Sequence, residues 1–174
     1  LISTPKPVID KTVSGTFYYN YIHYVYDNAT AGYTPQVTYY IKISNAINQF
    51  TGVETIFNAS ISDDLSDIYD KLANQCGVAT PGTRISNIST GGVLDDTTLG
   101  SEVIDWTGLG NMLPNQSKYV SFSVNYAGCP DDQVINNTAT FSADNISDIS
   151  DAIDVVINLP ADIEQVGIYP RKYF

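Results

Sequence analysis

The sequence is short of positive charge. Lys and Arg together number 8 among 174 residues against 19 Asp and Glu, so the formal net charge is −11. The two arginines, Arg84 and Arg171, stand far apart, and no basic cluster exists. Neutralising a polyphosphate backbone needs several cations on one face, which excludes a nucleic-acid partner. An anionic membrane surface is an equally poor match. Charge of either sign is sparse at 16%, below the usual quarter or so, and only Glu54, Glu102 and Glu164 are glutamates. Dense ion-pair networks are therefore not the source of stability. His23 is the single histidine. Set among Tyr21, Tyr24 and Tyr26, it reads as a packed strand residue, and no metal site is expected. There is no apolar run near the roughly 20 residues of a membrane-spanning helix. No glycine-rich phosphate loop and no nucleophile elbow occur. The expectation is a protein that is not an enzyme and needs no cofactor.

What is present points outside the cell. Hydrophobic residues make up 43%, enough for one globular domain. Cys76 and Cys129 are the only cysteines. They lack the close pairing of metal or redox motifs, so one long-range disulfide is expected, with two unpaired buried thiols as the alternative. Asn-x-Ser/Thr triplets start at Asn28, Asn58, Asn87, Asn115, Asn136 and Asn145. Chance in a chain of this composition gives about 2.5 such acceptor sites. N-linked glycans are thus expected at these six positions. The chain opens on Leu1, and a removed export leader is expected.

Period-two alternation dominates the rest. Val37, Tyr39, Ile41 and Ile43 share one face. Val120, Phe122, Val124 and Tyr126 do the same, as do Ala139, Phe141 and Ala143, and Ile153, Val155 and Ile157. These are antiparallel strands with one buried face. The stretch Thr16 to Tyr26 is dense in Tyr and Phe, which suit strands. Turn residues such as Pro81-Gly82, Gly91-Gly92 and Leu113-Pro114-Asn115 separate the runs, and a β-sandwich is the expected class. Ile61, Leu65, Ile68 and Leu72 recur at helical spacing. With Ser62 as N-cap they predict one short helix over 63–74. Residues 1–15 carry Pro5 and Pro7, so an extended strip with Ile2, Val8, Ile9 and Val13 as its apolar contacts is expected, ahead of a head domain over 16–174.

The acidic residues form two series, Asp63, Asp64, Asp67 and Asp70, and Asp144, Asp148, Asp151 and Asp154. Neither has the ligand spacing of a calcium loop, and both read as solvated polar faces. Lys11, with a sandwich Asn or Asp such as Asn137, is a further candidate. Such pairs can form Lys–Asn isopeptide crosslinks in surface sandwiches, with loss of one ammonia or water.

The runs 37–45 (VTYYIKISN), 59–67 (ASISDDLSD), 104–126 (with Trp106 ahead of Leu113-Pro114) and 134–157 (with Asn136-Asn137-Thr138-Ala139) stand in the order of motifs found in a repeat domain of archaeal and bacterial surface proteins. IDKTVSG at 9–15 is similar to that family's first strand. Asn115 stands where the family usually has Gly, and Ser66 where it has Pro. The resemblance implies an immunoglobulin-like sandwich with a structural or adhesive role. An extended strip, one sandwich and many glycan acceptors together resemble the subunit of archaeal thread filaments. That resemblance implies donor-strand complementation, in which the strip of one subunit fills the open sheet edge of an identical neighbour, giving a pilus-like fibre on the cell surface. Roughly 13 extended residues span about 45 Å, enough reach for that. The alternatives are a strip that stays in its own domain, and a non-polymerising surface adhesin or cell-envelope domain that binds carbohydrate through the Tyr-rich strand.

Overall fold

The computed structural model describes residues 4–25, 35–47 and 53–157. Ile2, Tyr26, Asn28 and the tail 162–174 lie outside that range. Two sheets face one another. The first contains β1 (Pro7–Ser14), β4 (Gln36–Asn45), β9 (Ser117–Asn125) and β6 (Ile85–Ser86), in the order β1-β4-β9-β6. The second runs β2-β3-β11-β10-β5-β8-β7, from β2 (Thr16–Tyr19), β3 (Ile22–Val25), β11 (Ile149–Ile157), β10 (Val134–Ser142), β5 (Ile56–Asp64), β8 (Val103–Met112) and β7 (Gly92–Asp95). All pairings are antiparallel except β3 with β11. The β-sandwich expected from the alternation is the fold of the chain.

The core is the sum of the inward faces. Val37, Tyr39, Ile41 and Ile43 of β4 are fully buried, as are Phe122 and Val124 of β9. Tyr39 pairs directly with Phe122, and their rings lie 5.0 Å apart and 13° from parallel. From the facing sheet come Ile61, Trp106, Ile135, Phe141 and Val155. Tyr39 and Tyr126, both buried, satisfy each other through hydroxyls 2.6 Å apart, which removes the penalty of two orphaned polar groups.

Two expectations are corrected. The helix does not begin at 63. The chain stays extended through Asp64, because β5 is held on both sides, Asp64 pairing with Thr138 on one and Val103 on the other. Helix α1 covers Ser66–Asn74. Ser62 and Ile61 therefore belong to a strand, and Asp64 Oδ1 accepts the Ser66 N–H at 2.9 Å. The later part of the periodicity holds, since Leu65, Ile68 and Leu72 are all fully buried. The aromatic stretch after residue 15 is likewise not one strand. It folds as the β2–β3 hairpin, with Asn20 and Tyr21 both at positive φ (48° and 66°), the backbone of a two-residue turn that matches strand twist.

Cys76 and Cys129 form the expected disulfide, with Cα atoms 4.2 Å apart. It fastens the segment after α1 to the β9–β10 connection.

Candidate functional site: a buried Lys–Asp–Asn cluster

β1 lies at the seam between the sheets. One edge pairs with β4 over its whole length, from Pro7 opposite Asn45 to Ser14 opposite Thr38. Its other edge faces β11, where Asp151 Oδ2 accepts the Lys11 N–H at 2.8 Å. Alternation turns Ile9, Lys11 and Val13 inward and leaves Val8 45% exposed. Val8 thus sits on the face opposite Ile9, as consecutive strand residues must.

The inward Lys11 is the unusual residue. Its side chain has no exposure, and its ammonium nitrogen lies against Asp63 Oδ2, itself fully buried. Asp63 is on β5, in the opposite sheet. The same carboxylate accepts from Asn137 of β10, whose Nδ2 is 2.6 Å from Asp63 Oδ1 and 2.8 Å from the Asp64 carbonyl. Asn137 reaches it as a diagonal cross-strand neighbour, because Ala139 is the residue directly opposite Asp63. Tyr39 and Phe122 close the other side, each ring centroid 5.5 Å from Lys11 Nζ. One carboxylate therefore bridges an amine and a carboxamide in a buried site walled by two aromatic rings.

Electrostatics push both charged members towards neutrality. Burial lowers the Lys11 amine from its ordinary range, against the opposing pull of Asp63 and Asp151. Burial raises the Asp63 carboxyl, against the pull of Lys11 and of the Asn137 hydrogen bond. Both shifts favour the neutral amine and carboxylic acid over the ion pair more than the same groups would in water. Asn137 Oδ1 is buried and has no partner among the described residues. Asn45 shows the contrast. It too is fully buried, yet its amide donates to the Glu54 and Met112 carbonyls at 2.7 and 3.0 Å and accepts from Lys6 N–H at 3.0 Å.

The helical spacing puts Asp63 on a solvated face, and the structure overturns that expectation. The signal was there in another period: Ala59, Ile61, Asp63 and Leu65 alternate, and all four are buried. The companion acids are different. Asp64, Asp70, Asp144, Asp148 and Asp154 are exposed, while Asp67 and Asp151 are half-buried.

The described glycan acceptors are not equivalent. Asn58, Asn87, Asn115 and Asn136 are exposed. The first three adopt left-handed backbone, φ 54°, 51° and 66°, so Asn115 has the conformation that a glycine would favour there. Asn145 is half-buried and occupied on both amide atoms, donating to the Thr55 carbonyl at 2.9 Å and accepting from Phe57 N–H at 3.0 Å.

His23 faces Tyr18, with ring centroids 4.6 Å apart, and its Nδ1 lies 3.1 Å from the Thr16 hydroxyl. Burial lowers its pKa. A groove beside α1 holds Asp96 and Glu102. Asp96 accepts from the Tyr69 hydroxyl at 3.0 Å, and Glu102 accepts from Gly100 N–H at 3.0 Å.

No family description matches the chain, and no curated protein matches it. Among solved structures, it is similar to the major pilin subunit BcpA of Bacillus cereus (13% identity, TM-score 0.40, 87% of this chain and 40% of that one). It is similar to the sporulation control protein Spo0M of Bacillus subtilis (10%, 0.41, 92% and 52%). It is also similar to the N-terminal domain of the Streptococcus gordonii adhesin Sgo0707 (11%, 0.40, 88% and 33%). The chain spans about half or less of each of these chains. Likeness at this level says nothing of what this chain does.

Proposed function

We propose that the chain is the structural subunit of an extracellular cell-surface filament, polymerising head-to-tail by donor-strand complementation and carrying N-linked glycans. The observation that supports this most is the placement of β1. It is an edge strand at the seam of the sandwich, and it carries the only cation in contact with a buried carboxylate among the described residues. It connects to the rest through Gly15, at φ 78°. Withdrawing β1 leaves the β4 edge unpaired, opens the core beneath Ile9 and Val13, and strands Asp63 without its cation. A second copy's strip supplies the same groups, and a contact of that kind that does not close on itself builds a fibre. The disulfide and the exposed acceptor triplets fit an exported protein. On this reading the chain resembles an archaeal thread subunit in its assembly as well as in its motifs.

The test is electron microscopy of the full chain beside a variant lacking residues 1–14. The expected result is fibres from the first and none from the second, with restored thermal stability on adding a peptide of residues 1–15. Fibres from the truncated protein would overturn the proposal.

A second reading has its own observation. Tyr18 (56% exposed), Tyr21 (88%) and Ile22 (37%) project from the β2–β3 hairpin and line a depression with His23 and Asp154. Aromatic faces beside a carboxylate suit a sugar, as in a non-polymerising adhesin. Binding on a glycan array by a protein that stays monomeric, lost in Tyr21→Ser, would favour it.

A further inference from the structure

We propose that Lys11 and Asn137 join through an isopeptide bond that the cluster forms unaided, with Asp63 carrying the proton. The three groups come from β1, β10 and β5, remote in sequence, and the fold alone brings them together. A buried Lys–Asp pair by itself would be an ordinary ion pair. The third member sets this one apart, because Asp63 touches the amine with one oxygen and the carboxamide nitrogen with the other.

The step balances without an outside reagent. The Lys11 Nζ lone pair attacks Asn137 Cγ, and a carbon–nitrogen bond forms. Asp63 takes a proton from Nζ through Oδ2 and delivers one to Asn137 Nδ2 through Oδ1. The Cγ–Nδ2 bond then breaks, and ammonia leaves. Amine and carboxamide become a secondary amide, no electron is gained or lost, and the carboxyl is regenerated.

Each requirement is met by a feature already described. A nucleophilic amine must be neutral, and burial under the Tyr39 and Phe122 rings favours that form. A general acid–base must reach both the proton it takes and the one it gives. Fixing reactants in a rigid core replaces a bimolecular encounter by an internal one, which lowers the barrier. Asn137 is the acyl partner rather than Asp63, because its nitrogen is the leaving group to which the carboxyl points. Its Oδ1 is also the one buried side-chain oxygen or nitrogen without a partner among the described residues. The proposal does not depend on polymerisation.

Intact-mass measurement tests it, on chain produced in a host that adds no N-glycans. The mass expected is one ammonia below that of the disulfide-bonded sequence, with a crosslinked peptide pair containing Lys11 and Asn137 after digestion. Lys11→Met, Asn137→Ala and Asp63→Ala are each expected at full mass, with the emission of Trp106 reporting whether they fold. The peptide pair from the wild-type protein decides the matter even where a variant does not fold. Should β1 come from a second copy, the same bond appears as boiling-resistant oligomers that Asn137→Ala abolishes. A wild-type protein at full mass would overturn the proposal, as would loss of one water with Lys11 joined to Asp63.

Discussion

Lys11 and Asp63 each answer for the other. Removing one partner of a buried pair leaves the other either charged and unpaired or forced to change its protonation, at a cost of about 3–5 kcal/mol. Lys11→Met is therefore expected to lower the unfolding free energy by that order, measured by urea titration. Its pH dependence is equally specific. Without Lys11, the Asp63 carboxyl has lost its cation and keeps burial, the largest effect, and the Asp64 charge, which both raise its pKa against the Asn137 hydrogen bond. The folded state then holds a proton that the unfolded state releases above about pH 4. Stability of Lys11→Met should accordingly fall as pH rises through and above the carboxylate range. In Asn137→Ala the unlinked pair shares one proton, the same total as a free Lys and Asp, and the profile between about pH 5 and 9 should stay flat. A rising or flat profile for Lys11→Met would show that Asp63 is not held as described. Tyr21 offers a test of opposite sign. A bulky residue at φ 66° carries a strain of roughly 1–2 kcal/mol, so Tyr21→Gly should raise the melting temperature, less whatever the freer unfolded chain takes back.

The disulfide belongs to the scale of elements. It closes a span of 53 residues that includes the short 3-10 turn Pro81–Arg84 and the strands β6 to β9. Constraining a loop of that length is worth about 4 kcal/mol in the chain-entropy model. Cys76→Ser with Cys129→Ser should lower thermal stability accordingly, and the loss should be reproduced by reductant. Gly15 is the other joint. A side chain there would meet the Gln36 carbonyl, so Gly15→Ala should destabilise by ~1 kcal/mol or more, read in the same melts. Elements are also where the sequence was most and least readable. Strands β4, β9 and β10 were plain because one face is core and the other solvent, which writes burial directly as alternation. The start of α1 was not, because Ile61 and Leu65 satisfy both a period of two and a period of 3.6. Only the pairing of Asp63 and Asp64 with β8 and β10 decides between them. The same ambiguity hid Asp63 from the site, while Lys11 and Asn137 were already nameable as a pair.

At the scale of the molecule, accessibility sorts the glycan sites. Asn87, in the connection after β6, and Asn115, in the β8–β9 turn, are exposed, whereas Asn145 has both amide atoms committed to the backbone. Peptide mapping of protein from a glycosylating host should find high occupancy at the first two and little at Asn145. Heavy modification of Asn145 would mean that the β5 start and the β10–β11 connection separate before the sugar is added. Among the described residues the acidic side chains are mainly short Asp at the periphery, with Asp63 and Glu102 the buried exceptions. The placement of Lys11 against Asp63 and Asn137 finally bears on how the molecule transmits tension. Lys11 lies in β1, and Asn137 in β10. A pull applied between a point ahead of β1 and a point beyond β11 would pass from one to the other across the sandwich. The helix, the disulfide and most of the core would then lie off the line of force. Joined there, the domain would behave under load as a short tether and not as an extensible spring.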